Sequence, residues 1–152
     1  SPGYWLADEA GEAAFKDGWF RTGDIGTVDE DGYLFIVDRK KDMIKSGGEN
    51  IGSLEIERVV HGFDEVQDVA AVGVPDDHWG EVPVVFITLF PDTELTSDEV
   101  RVRCERELAR FKVPKGIYFV SSLPRVASGK VRKDKLRERA TSLRLGTSVS
   151  GR

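Results

Sequence analysis

Four short stretches carry side chains capable of chemistry, and each has a plainer structural reading beside it. In Arg21-Thr22-Gly23-Asp24, a carboxylate behind a glycine at the mouth of a strand can accept two hydrogen bonds from a ribose diol. For this tetrapeptide alone, an aspartate capping a turn is the better reading. In residues 38–57, DRKKDMIKSGGENIGSLEIE, Lys41 or Lys45 can act as a catalytic or phosphate-binding cation. Gly47-Gly48 can let a ligand chain run close to the backbone. A solvated linker with a turn fits that stretch equally well, although Met43-Ile44 is a poor choice for a flexible linker. In Ser128-Gly129-Lys130, a lysine beside a glycine can neutralise phosphate or carboxylate oxygens as a mobile point charge. The match falls short of a full phosphate-binding loop, so a surface loop is the default. Finally, Trp79 in Asp76-Asp77-His78-Trp79-Gly80, together with Phe111-Lys112, can stack a base and pair a phosphate. Core packing is the plainer role for Phe111, whereas Trp79 stands in a polar loop. His61 and His78 are far apart without metal-ligand spacing, and no metal site is expected.

These groups must be held by regular elements, and the pattern predicts them from Thr27 onward. Thr27-Val28 and Tyr33–Val37 flank Asp29-Glu30-Asp31-Gly32, a hairpin signal. Ile56, Val59 and Val60 recur at helical spacing, with Ser53 as the expected N-cap. Strands are expected at Val69–Val74 and Val82–Phe90. Thr96 with Glu99 reads as a capping box, and Leu95 with Val100 as its hydrophobic staple. Val100, Cys104, Leu108 and Phe111 mark one face of the helix that follows. Another strand is expected at Lys115–Val120 and a charged helix at Lys133–Ala140. Residues 141–152, rich in Ser, Thr and Gly, are expected to form a disordered tail. From Lys41 on, this order predicts an α+β domain, a small mixed sheet with helices on one face. A β-rich hairpin precedes it.

Bulk properties narrow the function classes. The 152 residues suit one domain, or one domain plus part of another. At 39% hydrophobic and 32% charged, the composition predicts a packed core with a polar surface. Residues 1–110 carry 11 Lys and Arg against 25 Asp and Glu, while residues 111–140 carry 9 against 2. An acidic body with one basic strip argues against general nucleic-acid binding and suits a local anionic ligand. The single cysteine excludes a disulfide framework within the chain. No signal peptide or membrane-spanning apolar run is visible, so the cytoplasm is the expected location. The chain opens on Ser1-Pro2 rather than methionine, and the expectation is a piece of a longer protein.

In their order, the motifs resemble the adenylate-forming superfamily of acyl-CoA synthetases, peptide-synthetase adenylation domains and beetle luciferases. The resemblance covers residues 3–140. It rests on Gly18-Trp19-Phe20-Arg21-Thr22-Gly23-Asp24, Gly32-Tyr33, residues 38–45, Gly47-Gly48-Glu49-Asn50-Ile51, Leu123-Pro124 and Gly129-Lys130. Gly52-Ser53 departs from the pair common at that point in the family. The resemblance implies an enzyme that makes an acyl-adenylate from a carboxylic acid and MgATP, then passes the acyl group to a thiol. Its C-terminal domain swings between two poses, one for each half-reaction. By the same resemblance, Asp24 would hold the AMP ribose with Arg39 nearby, and Lys41 would be the hinge. Lys130 would bridge carboxylate and α-phosphate, and Lys45 would replace it in the other pose. Gly47, Gly48 and Glu49 would line the pantetheine channel of CoA, with Trp79 and Phe111 on its nucleotide.

The domain organisation so implied is residues 1–38 as the end of a large N-terminal domain, 39–41 as hinge and 42–140 as the mobile C-terminal domain. The phosphate loop, magnesium ligands, adenine pocket and acyl pocket would lie in the missing N-terminal domain, so the fragment alone would not adenylate. From charge distribution and hydropathy, no nucleic-acid partner and no membrane span are expected. A carrier-protein-loading adenylation domain shares most of the motifs. A CoA ligase is favoured because no carrier module follows the last motif and because Trp79 with Phe111-Lys112 suits a nucleotide. A non-catalytic binding domain is disfavoured, since it would need none of Asp24, Arg39, Lys45 and Lys130.

Overall fold

The computed structural model describes residues 14–147. The chain divides into two compact units, Ser1–Lys41 and Asp42–Arg152. In the first, β1 (Phe15–Lys16) and β2 (Trp19–Phe20) form one antiparallel ribbon, and β3 (Asp24–Val28) and β4 (Leu34–Arg39) a second. The Asp29 carboxylate shapes the predicted hairpin turn, accepting the backbone N–H of Asp31 at 3.0 Å and of Tyr33 at 2.8 Å. Val28, Tyr33, Leu34, Phe35 and Ile36 remain half or more exposed.

The second unit is an α+β arrangement built on one mixed sheet. Its strands are β5 (Ile44–Ser46), β6 (Glu49–Ile51), β7 (Val66–Asp76), β8 (Gly80–Leu89) and β9 (Gly116–Phe119). They pair in the order β6-β5-β8-β7, all antiparallel, while β9 joins β8 in parallel. The helices are α1 (Ser53–His61), α2 (Ser97–Glu107) and α3 (Lys133–Thr147). Side chains alternate across a strand, so β7 and β8 feed two cores. Val69, Ala71, Val85 and Ile87 pack with Ile56 and Val60 of α1 and Val100 and Cys104 of α2. On the opposite face, Val72, Val84 and Phe86 pack with Leu136 and Ala140 of α3. The helices therefore cover both faces, not one as expected. A sheet buried on both sides reads as a near-continuous apolar run, which is how β7 and β8 look.

Three further expectations change. Residue Ser53 does not cap α1. It is the first helical residue, with Gly52 at the N-cap position and no side-chain cap. Its hydroxyl instead accepts from the Lys133 ammonium at 2.7 Å, and Lys133 pairs with Glu57 at 2.7 Å, tying the start of α3 to α1. Helix α2 ends at Glu107, and Leu108 turns extended, so Phe111 falls on a separate 3-10 turn and leaves the helix face. Residues 141–147, expected in the tail, instead extend α3 to Thr147, and 148–152 lie outside the described residues. Residues 1–13, the start of the region assigned to the end of the large N-terminal domain, also lie outside them. The capping box is present as expected: Thr96 accepts from the Glu99 N–H at 3.3 Å, and Glu99 accepts from the Thr96 N–H at 2.9 Å. Among the described residues no helix is long and apolar enough to cross a membrane.

Glu65, just before β7, receives two hydrogen bonds of 2.8 Å from Arg103 of α2. These bonds draw its carboxyl from an ordinary 4.5 to about 2. A carboxyl held below its unfolded value stabilises the fold above that value and loses the effect as protons bind. The urea midpoint of the chain is expected to fall as pH drops from about 4.5 towards 2, and Glu65→Gln to flatten the curve across that window. Solvent exposure keeps the effect modest.

Candidate functional site

In the first unit, Asp24 and Arg39 stand opposite each other in the β3–β4 register, with carboxylate and guanidinium 3.3 Å apart. Gly23 takes a φ of +77°, and the Asp24 N–H donates to the Thr22 hydroxyl at 3.1 Å. The turn thus fixes the aspartate while leaving an acceptor edge and a cation side by side at the mouth of the ribbon. That arrangement can bind a diol next to an anionic group. Lys41 is the last residue of this unit, and Asp42, the first of the next, is buried and bonded to Arg137 of α3 at 2.8 Å.

In the second unit, Gly47 and Gly48 are the two central residues of the β5–β6 turn, with φ of +59° and +86°. A two-residue turn with both φ positive is the hairpin type that demands glycine or asparagine. The turn therefore requires the pair whether or not a ligand passes. Gly47 has a second constraint: a β-carbon there would stand 2.8 Å from the Trp79 ring. Its N–H also donates to the Trp79 carbonyl at 2.8 Å. Trp79 is held in turn by Asp76, whose carboxylate accepts the N–H groups of His78 and Trp79, each at 3.1 Å.

These contacts form one wall of a cavity of about 510 Å³. Gly47, Glu49, Trp79 and Phe111 line it, so four residues separated by up to 64 positions in sequence meet there. Gly48 is not among the lining residues. Ser46, Val82, Arg110 and Lys115 complete the wall. Both aromatic rings are near half exposed, Trp79 at 49% and Phe111 at 41%, so Phe111 lines the cavity rather than filling the core. The two cations differ from the one the sequence suggested. Lys112 is held by both carboxylate oxygens of Glu55, at 2.7 and 2.8 Å, and Arg110 and Lys115 supply the positive charge. Only their flanking of Phe111 in Arg110-Phe111-Lys112-Val113-Pro114-Lys115 hinted at them. An open, aromatic-walled cavity with two cations suits a purine and its phosphates.

Lys130 sits elsewhere in this unit, on a turn where Gly129 has a φ of +84°. The Gly129 N–H donates to Val126 O at 2.8 Å, and the Val126 N–H to Lys130 O at 3.0 Å. The Arg125 guanidinium braces the same turn, donating to the Gly129 carbonyl and the Asp68 carboxylate. Lys45 projects from β5. Among the described residues, neither Lys45 nor Lys130 has a hydrogen bond or ion pair at its side chain. Burial, with Glu107 and Glu105 adding to it, pushes the Cys104 thiol up to about 11, which makes it a poor nucleophile. No group of three His, Cys, Asp or Glu among the described residues is placed to hold a metal.

A family model described as the AMP-binding enzyme C-terminal domain matches residues 55–130. The 2-succinylbenzoate–CoA ligase of Listeria monocytogenes serotype 4b (strain F2365) is 51% identical over 141 residues, 91% of this chain and 29% of the relative. The long-chain-fatty-acid–CoA ligase FadD13 of Mycobacterium tuberculosis (strain ATCC 25618 / H37Rv) is 47% identical, covering 89% of this chain and 27% of the relative. Among solved structures, the o-succinylbenzoate CoA synthetase MenE from Bacillus subtilis, in complex with the acyl-adenylate intermediate OSB-AMP, superposes with a TM-score of 0.83 at 36% identity. That match covers 88% of this chain and 27% of the other. ATP-bound MatB from Rhodopseudomonas palustris gives 0.81 at 37%, over 90% of this chain and 27% of its own. The chain thus spans less than a third of the length of these relatives.

Proposed function

The chain belongs to the AMP-binding enzyme C-terminal domain family, and from that premise we propose that it is the C-terminal part of an ATP-dependent, AMP-forming acyl-CoA synthetase. The whole protein would join a carboxylic acid to AMP, releasing pyrophosphate, and then transfer the acyl group to the thiol of CoA. The observation that carries the reading is the cavity in which Trp79 and Phe111 meet Arg110 and Lys115 beside the Gly47 turn. On this reading the rings take the CoA adenine and the cations its phosphates. Pantetheine would run past Gly47 and Glu49, with Gly48 at the turn tip. A carrier-protein acceptor presents no nucleotide, so the cavity favours CoA over a carrier.

In the first unit, Asp24 would accept hydrogen bonds from the AMP ribose hydroxyls, with Arg39 beside it balancing the charge. Lys41 would be the pivot about which the second unit turns. Lys130 and Lys45 would then serve adenylation and thioester formation respectively. ATP and CoA are the co-substrates, and magnesium would be held by ATP and by parts of the protein outside this chain. The exposed apolar side chains of the β3–β4 ribbon support a large N-terminal domain that covers them. A cytoplasmic location is part of the same reading.

The test is a panel of carboxylic acids offered with MgATP and CoA to the intact protein, followed by ATP–pyrophosphate exchange and thioester yield. The intact protein is expected to be active in both assays, and the 152-residue chain inactive in exchange. Exchange by the chain alone would contradict the division of labour. Thioester formed on a carrier protein but not on CoA would favour the carrier-loading alternative.

A further inference from the structure

Strand β5 is three residues long and meets β8 at a single position, Ser46 opposite Gly80. One residue earlier, where the ladder has run out, the Lys45 N–H donates to Glu81 Oε2 at 2.9 Å. A side-chain carboxylate thus takes the place of the backbone pairing with β8 that stops there. The position of Glu81 depends on Gly73 of β7: a β-carbon on Gly73 would stand 3.0 Å from Glu81 Oε2 and 3.0 Å from Ile44 Cγ2. One residue later than Ser46, the Gly47 N–H donates to the Trp79 carbonyl. Residue 47 is therefore pinned to the turn between β7 and β8, which carries the cavity's tryptophan, and residue 45 to the first residues of β8 that follow it. With its N–H fixed on one side and Asn50 paired on the other, the Lys45 backbone has one orientation, and that orientation aims its side chain.

We infer that Glu81 is a positioning residue for Lys45, and that the Trp79 turn together with the start of β8, where Glu81 lies, couples the nucleotide cavity to that lysine. This rests on the acyl-CoA synthetase reading above, in which Lys45 serves thioester formation. Glu81 touches no substrate. It acts by holding one backbone N–H, so its removal misplaces the ammonium of Lys45 without touching the Lys130 turn. The β7–β8 ladder runs from Val66 to Asp76 on its own register and does not depend on this bond.

The experiment uses the intact protein and measures two half-reactions separately: ATP–pyrophosphate exchange, and thioester formation from supplied acyl-adenylate and CoA. Glu81→Ala is expected to lower kcat for thioester formation on the order of tenfold, since small misplacements of a catalytic group are costly. Exchange should stay within about twofold of wild type, because none of the bonds that hold the Val126–Lys130 turn involves Glu81. Glu81→Gln keeps an acceptor oxygen and should recover most of the rate. Gly73→Ala, which displaces the carboxylate by another route, should repeat the bias of Glu81→Ala and keeps the test open if that variant folds poorly. In a Lys45→Ala background, Glu81→Ala should add nothing. Equal loss in both half-reactions, no loss in either, or an additive loss on top of Lys45→Ala would overturn the inference while leaving the synthetase reading in place. A wild-type protein that exchanges pyrophosphate but forms no CoA thioester would overturn both.

Discussion

Lys130→Ala in the intact protein is expected to abolish acyl-adenylate formation while leaving thioester formation from supplied acyl-adenylate within a fewfold of wild type. Adenylation brings a carboxylate against an already anionic α-phosphate, and charge builds up where they meet. One preorganised cation there is worth on the order of 10²- to 10³-fold in rate, and more where no other group shares the charge. The structure suits the task. The Lys130 side chain is exposed and engaged by no partner among the described residues, so no ion pair must break before it reaches substrate. Its backbone is held by the Val126–Lys130 turn and braced through Arg125, so only the side chain needs ordering. ATP–pyrophosphate exchange reads the loss, and conversion of a synthetic acyl-adenylate with CoA reads the retained step. Equal loss in both assays would mean that Lys130 supports the fold or a shared site rather than one half-reaction.

Signals confined to a few neighbouring residues were legible in the sequence. The capping box of α2 needs only Thr96 and Glu99, three apart, and both of its hydrogen bonds are present. The β3–β4 turn was likewise readable, because Asp29 bonds to residues two and four positions ahead. The β5–β6 hairpin was missed although its signal was present. Gly47-Gly48 is a favoured two-residue turn, but three-residue strands on either side are too short to show alternation. Tertiary placement caused the other differences. Nothing local shows that α2 stops at Glu107, and its end decides whether Phe111 meets the core or the cavity. Which of Lys112 and Lys115 carries free charge depends on Glu55, 57 residues before Lys112. The meeting of Gly47, Trp79 and Phe111 depends on β5 crossing the start of β8, a contact of one residue pair. The coverage of both sheet faces was in principle readable from the unbroken apolar runs of β7 and β8.

Lys45→Ala should carry the opposite bias, lowering thioester formation by about 10²-fold and sparing pyrophosphate exchange, again the scale of one lost electrostatic contact in a transition state. Attack of a thiol on the acyl-adenylate expels AMP, so negative charge returns to the α-phosphate as the bond to the acyl carbon breaks. A cation near that oxygen stabilises the departing group, and a lysine two residues from the cavity's Gly47 would be close to it while CoA lies in place. Like Lys130, Lys45 has no side-chain partner among the described residues, yet the two project from different elements of the same unit. On the proposed reading, one compact unit presenting two ammonium groups in different places would serve both steps by changing which of them faces the substrate. The double variant therefore makes the sharper measurement. If the lysines serve separate steps, Lys45→Ala with Lys130→Ala should show in each half-reaction only the loss of the lysine assigned to it. A deficit in either assay larger than that of the single variant would show both lysines acting in one step, and the alternation about Lys41 would then lose its basis.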